Sequence, residues 1–194
     1  MNEFKKRAVF SNLRGYFVQN RKIFVSALIV LTLGIIVGIV SSVRAVNGEF
    51  ERVARVDMEF AGAKTFFISV LILVVSYALF LISGINKKTI FIAAIPFFVL
   101  GFLIGKYATC LIARYETWGI LNLLFCYLPF YIATAILFVI AAVNVITPCY
   151  RPTENGLKPY IIPTLKLFAI NVCAGVVFFL IIGSIFGVIE IKLF

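Results

Sequence analysis

The sequence predicts an all-α, polytopic membrane protein, a bundle of five transmembrane helices with an N-terminal interfacial helix and an outer amphipathic helix. Three observations predict it. Hydrophobic residues fill 63% of the 194 positions, charged residues only 13%, and mean hydropathy is +1.11. A chain of this size has no soluble core that could bury so much apolar surface, so its solvent is lipid. The apolar residues fall into five runs, each near the ~20 residues that cross a ~30 Å hydrocarbon layer, and the breaks between them carry almost all the charge.

Residues 1–22 hold Lys5, Lys6, Arg7, Arg14, Arg21 and Lys22 against one acid, Glu3, while Phe10, Leu13, Phe17 and Phe24 recur at helical spacing. That pattern lays an apolar stripe in the headgroups with cations around it, a basic interfacial helix. The basic stretch is long for a cleavable signal peptide, and no small-residue cleavage site stands out after the apolar run. The charges orient the protein against anionic lipid. The first span covers about 23–42. Residues 43–64 follow with four bases (Arg44, Arg52, Arg55, Lys64) and four acids (Glu49, Glu51, Asp57, Glu59); Val46, Phe50, Val53 and Phe60 fall near one helical face, which predicts an amphipathic helix flat on the far surface.

The second span, about 66–85, meets Asn86, Lys87 and Lys88, where only a tight turn fits before the third span at about 90–113. The third contains Pro96, whose missing N–H predicts a bend, and Lys106 in its outer third. A short polar tip at Arg114, Glu116 and Trp118 then closes a helical hairpin; Trp118 with Tyr115 reads as an interfacial aromatic anchor. The fourth span, about 119–145, carries Asn122 and a mid-helix Pro129. Four of the six prolines (148, 152, 159, 163), with Asn155-Gly156 between them, predict a non-helical connector over 147–166. The fifth span, about 167–189, includes Asn171, Gly183 and Gly187. The domain plan is thus a basic interfacial helix (1–22) and one membrane domain (23–189).

Five spans put the termini on opposite sides, and the Lys and Arg count orients them. With the N-terminus inside, the inner segments carry 11 and the outer segments 7, while acids divide 2 inside and 6 outside. The positive-inside rule then places the N-terminus in the cytoplasm and the C-terminus outside. The net charge of +10 is therefore a topology signal, and no nucleic-acid partner is expected.

Chemistry is sparse. Histidine is absent, which removes the commonest general base and transition-metal ligand. The sequence has no G-x-S-x-G, H-E-x-x-H, Walker A or Gly-rich dinucleotide motif. Cys110, Cys126, Cys149 and Cys173 have neither metal-ligand nor disulfide spacing and read as small packing residues. No catalytic residue, metal or cofactor is expected. What remains are packing and surface features. Gly34/Gly38, Gly101/Gly105 and Gly183/Gly187 form three GxxxG pairs, in spans one, three and five, which let backbones approach closely within one bundle or against a partner membrane protein; an oligomer is compatible with them. Lys106 and Glu190 are the ionisable residues within spans and form a candidate buried ion pair, with snorkelling of each as the alternative. Pro96 and Pro129 are candidate helix kinks.

The basic N-terminal segment, LGIIVG at 33–38, the outer loop, GFLIG at 101–105, Gly119 and the mid-helix Leu128-Pro129 together resemble the stage II sporulation protein M family of bacterial membrane proteins, over roughly residues 20–190. The resemblance implies a bacterial cell-membrane protein without enzymatic activity that holds cell-wall-remodelling partners at the septal membrane during engulfment. Under that expectation Arg52, Arg55, Arg114, Glu116 and Trp118 are candidate outer partner contacts. Some relatives of that kind look like permease-like partners of ATP-driven transporters. On that alternative a cytoplasmic ATPase docks on Lys87, Lys88, Arg151 and Lys158.

Overall fold

In the computed structural model the described residues are 18, 20–56, 63–150 and 158–193; the side chains of 44–56, 63–68, 114–116, 118, 119, 122, 126, 148–150, 158–160, 179 and 181–193 are not among them. Nearly all of the predicted 1–22 interfacial helix lies outside the described residues. Among the described residues there are five long helices, α1 (Arg21–Val56), α2 (Ala63–Ser83), α3 (Ala94–Asn122), α4 (Leu128–Tyr150) and α5 (Lys158–Leu193), and no strand. A 3-10 helix, Lys87–Ala93, leads into α3, and a π-helix, Leu123–Tyr127, joins α3 to α4. Four stretches are long and apolar enough to cross a membrane: Arg21–Val43, Lys87–Ala113, Leu123–Thr147 and Ile161–Phe178. The described apolar part of α2, Ser69–Ser83, is shorter. The protein is a helical, multi-pass membrane protein.

Four boundaries differ from those expected of the sequence. Residues 43–56 do not form a separate helix; they continue α1, which runs unbroken for 36 residues. Asn47 and Gly48, weak helix formers side by side, do not stop it. The third span does not begin as α-helix. Pro96 can donate no N–H to Ile92, and the chain runs as 3-10 helix up to Ala93, so that Pro96 falls in the first turn of α3, where a missing donor costs least.

The expected polar tip at 114–118 is helical, since nothing between Arg114 and Trp118 breaks a helix. The chain nonetheless doubles back. The rings of Tyr107 and Tyr131 stack with centroids 6.3 Å apart, whereas a straight helix would hold residues that far apart in sequence about 36 Å from each other. The π-helix lies within this reversal, directly before Pro129, which occupies the first turn of α4 and not its middle. Proline leaves the carbonyl four residues earlier without its donor, and a widened turn is one way a helix absorbs that loss.

The non-helical connector is also shorter than 147–166. Helix α4 continues to Tyr150 and α5 begins at Lys158, with Pro159 in its first turn and Pro163 inside it. First-turn positions tolerate proline because their N–H groups have no helical acceptor.

Between α2 and the 3-10 helix the chain turns tightly through Gly84, Ile85 and Asn86. The Asn86 side chain accepts from the N–H of Lys88 at 3.4 Å, and the Thr89 hydroxyl accepts from the N–H of Asn86 at 3.2 Å, so two otherwise orphaned donors are satisfied reciprocally.

Helices α1 and α3 form the most extensive pair, while α2 packs on the 3-10 helix, α3, α4 and α5. Contacts advance together along both chains, Gly34 beside Phe98 and Gly38 beside Phe102, so α1 and α3 run parallel. The core gathers on one face of each remaining helix. On α2 it takes Leu73, Ser76, Tyr77, Phe80 and Ser83, and on α4 Tyr131, Thr134, Phe138 and Ala141 at three- and four-residue intervals, after which burial closes round α4 at Ala142, Val143, Val145 and Ile146. Phe80, Phe97 and Phe138 meet edge to face at 5.3 to 6.1 Å. Lipid is as apolar as these rings, so their association rests on geometry: such pairs contribute roughly 0.5–1.5 kcal/mol each beyond area burial.

Candidate functional site

The α1–α3 seam is built from glycine. A Cβ on Gly34 would stand 3.0 Å from the Phe102 nitrogen and 3.2 Å from the Gly101 Cα; one on Gly38 would stand 3.0 Å from the Lys106 nitrogen. Reciprocally, a Cβ on Gly101 would meet Leu31 and stand 3.1 Å from the Ile35 nitrogen, and one on Gly105 would stand 3.0 Å from the Ile39 nitrogen. All four glycines therefore lie backbone to backbone. The four-residue spacing continues to Ser42, which is buried and whose hydroxyl has no hydrogen-bond partner. Gly183 and Gly187 lie on α5 outside the described side chains. Away from this seam α1 carries exposed apolar side chains within Arg21–Val43, among them Leu28, Ile29, Leu33, Ile36 and Val40.

A second feature is a polar triad inside the bundle. The Thr134 hydroxyl donates to Asn171 Oδ1 at 3.2 Å, and Asn171 Nδ2 donates to the Tyr77 hydroxyl at 3.4 Å. This ties α4 to α5 and α5 to α2. Asn171 has no exposed surface, and the Tyr77 ring stands edge-on to Phe80, Phe138 and Phe168 at 5.4 to 6.0 Å. An amide in hydrocarbon must find partners or stay out, so the triad fixes the register of three helices at once. The sequence reading noted Asn171 but not its partners. Tyr77 and Thr134 stand among other polar residues of their apolar runs, such as Ser76, Ser83, Tyr131 and Asn144, so the sequence does not single them out.

The third feature is one basic end. The Thr147 hydroxyl donates to Asn20 Oδ1 at 3.5 Å, so the start of α1 meets the last turns of α4. Gly84 packs against Val145 from the α2 side, leaving no room for a Cβ. Arg21, Lys22, Lys87, Lys88 and Lys166 are all exposed. Of the inner docking candidates, Lys87 and Lys88 open the 3-10 helix, Lys158 begins α5 with its side chain undescribed, and Arg151 lies outside the described residues.

Lys106 is half-buried on α3 beside Gly38. Its candidate partner Glu190 lies on α5 beyond the described side chains, as do Arg52 and Arg55 on α1 and Arg114, Glu116 and Trp118 on α3. Pro96 is buried and Pro129 exposed. Among the described residues no three His, Cys, Asp or Glu side chains gather as a metal site would require. No family model, curated protein or solved structure matches this chain.

Proposed function

We propose that this protein is a non-enzymatic membrane scaffold that recruits or positions other proteins through a helical arm extending from its bundle. One observation carries the proposal. The uncharged apolar run of α1 gives way at Arg44, where the sequence turns to mixed charge, yet the helix continues to Val56. The apolar part spans about 35 Å, enough for the hydrocarbon layer, and the remaining thirteen residues carry the helix about 20 Å further. That extension bears Arg44, Glu49, Glu51, Arg52 and Arg55, charge of both signs that the hydrocarbon layer does not accommodate. The glycine seam supports the same reading, because it clamps the base of the arm to α3 through rigid backbone. On the positive-inside count the arm stands outside a bacterial cell membrane with the N-terminus in the cytoplasm, and the resemblance noted above suggests wall-remodelling proteins as its partners.

The competing role is a permease-like subunit with an ATPase docked on the inner face at Lys87, Lys88, Arg151 and Lys158. The two readings separate by crosslinking in native membranes followed by mass spectrometry. Charge reversal at Arg52 and Arg55 abolishes recovery of the scaffold's partners, whereas reversal at Lys87 and Lys88 does not. The opposite pattern, with a soluble ATPase recovered and lost on reversal at Lys87 and Lys88, would overturn the proposal.

A further inference from the structure

We infer that the basic end of the bundle is a binding surface for anionic phospholipid headgroups, assembled from the start of α1 and the turn between α2 and the 3-10 helix around the end of α4. The two basic pairs, Arg21 with Lys22 and Lys87 with Lys88, are separated by more than sixty positions in the sequence. The fold brings their segments to one helix end: Asn20 bonds to Thr147, and Gly84 abuts Val145 two residues earlier on α4. Four cations thus flank the last turns of one helix.

The identity of the ligand follows from what adjoins the cations. Phe91 is 72% exposed and Ile85 65% exposed on either side of Lys87 and Lys88, and Val18 and Val25 are exposed on either side of Arg21 and Lys22. Each cation pair is therefore bordered by outward-facing apolar side chains. A free phosphate or an acidic protein has no use for those residues. A phospholipid uses both, its phosphate on the ammonium and guanidinium groups and its acyl chain along Phe91 and Val25. Basic clusters beside a membrane helix attract anionic lipid by about fivefold per cation. The surface is independent of the arm on α1, which lies at the other end of that helix.

The test is native mass spectrometry of the protein released from nanodiscs containing equal phosphatidylglycerol and phosphatidylcholine. The native chain carries phosphatidylglycerol enriched well above its share of the disc. Neutralising the pair Lys87→Gln and Lys88→Gln, or the pair Arg21→Gln and Lys22→Gln, reduces that enrichment at least fivefold. Neutralising Arg52→Gln and Arg55→Gln at the far end leaves it unchanged, and so does inorganic phosphate at millimolar concentration. Absence of enrichment, an equal loss in the far-end variant, or displacement by inorganic phosphate each overturns the inference. The side chains of Arg21, Lys22, Lys87 and Lys88 are exposed, and an unchanged circular dichroism spectrum in each variant ties any loss to the charge.

Discussion

Gly34 and Gly101 face each other across the α1–α3 seam so closely that a Cβ on the first would stand 3.2 Å from the Cα of the second. What each glycine meets is backbone, which cannot rotate aside as a side chain would. Gly34→Leu or Gly101→Leu is therefore expected to destabilise the protein by at least the ~1–3 kcal/mol of an overfilled core. Unfolding followed by circular dichroism in mixed micelles checks this. Substitution of Leu33, which is exposed on the same helix, is the control and leaves stability unchanged.

Ser42 gives a prediction of the opposite sign. Its hydroxyl is buried without a partner at the next position of the same seam. Ser42→Ala keeps the small side chain that close approach requires and removes the unsatisfied group, so it is expected to raise stability by about 1 kcal/mol in the same unfolding assay.

The triad can be measured by its coupling. Asn171→Leu removes both of its hydrogen bonds and leaves Thr134 and Tyr77 unpaired in an apolar interior. A double-mutant cycle with Thr134→Val is expected to return a coupling energy of about 0.6–1.7 kcal/mol, the range found for hydrogen bonds between membrane helices. Additive losses would mean that the two residues contribute separately.

Gly84 and Val145 make a size-complementary pair at the basic end. A methyl group at Gly84 would collide with the Val145 side chain, whose β-branching leaves it few ways to move. Gly84→Ala is expected to destabilise by about 1–3 kcal/mol. Adding Val145→Ala, which removes the obstructing carbons, restores part of that loss, and a lower melting temperature in the double variant than in Gly84→Ala would contradict the contact.

These residues also mark how far the sequence alone could be read. The apolar runs and the tight turn at Asn86 were legible because run length, and the few residues left between two runs, carry their own meaning. Gly34, Gly38, Gly101 and Gly105 were legible as close-approach positions. That the two pairs meet each other was not, since a GxxxG stripe states how near a neighbour comes and not which neighbour it is. Proline misled for a related reason. Pro96, Pro129 and Pro159 each fall in the first turn of a helix, where the lost N–H matters little, and the residue type does not reveal its distance from a helix start. Charge misled at 43–56: an amphipathic pattern suits both a helix lying on a surface and the continuation of a span beyond it. Asn171 was visible, but its partners Tyr77 and Thr134 lie on other helices, and only packing joins them.

The arm on α1 is the central claim, and accessibility of single cysteines tests it most directly. After replacement of Cys110, Cys126, Cys149 and Cys173, Ala54→Cys places a thiol on the extension and Lys87→Cys places one at the opposite end. With a membrane-impermeant maleimide, Ala54→Cys is expected to label in intact cells and Lys87→Cys only after the membrane is opened. Labelling of both from the same side, or protection of Ala54→Cys under both conditions, would contradict a helix that leaves the bilayer at Val43 and stands beyond it.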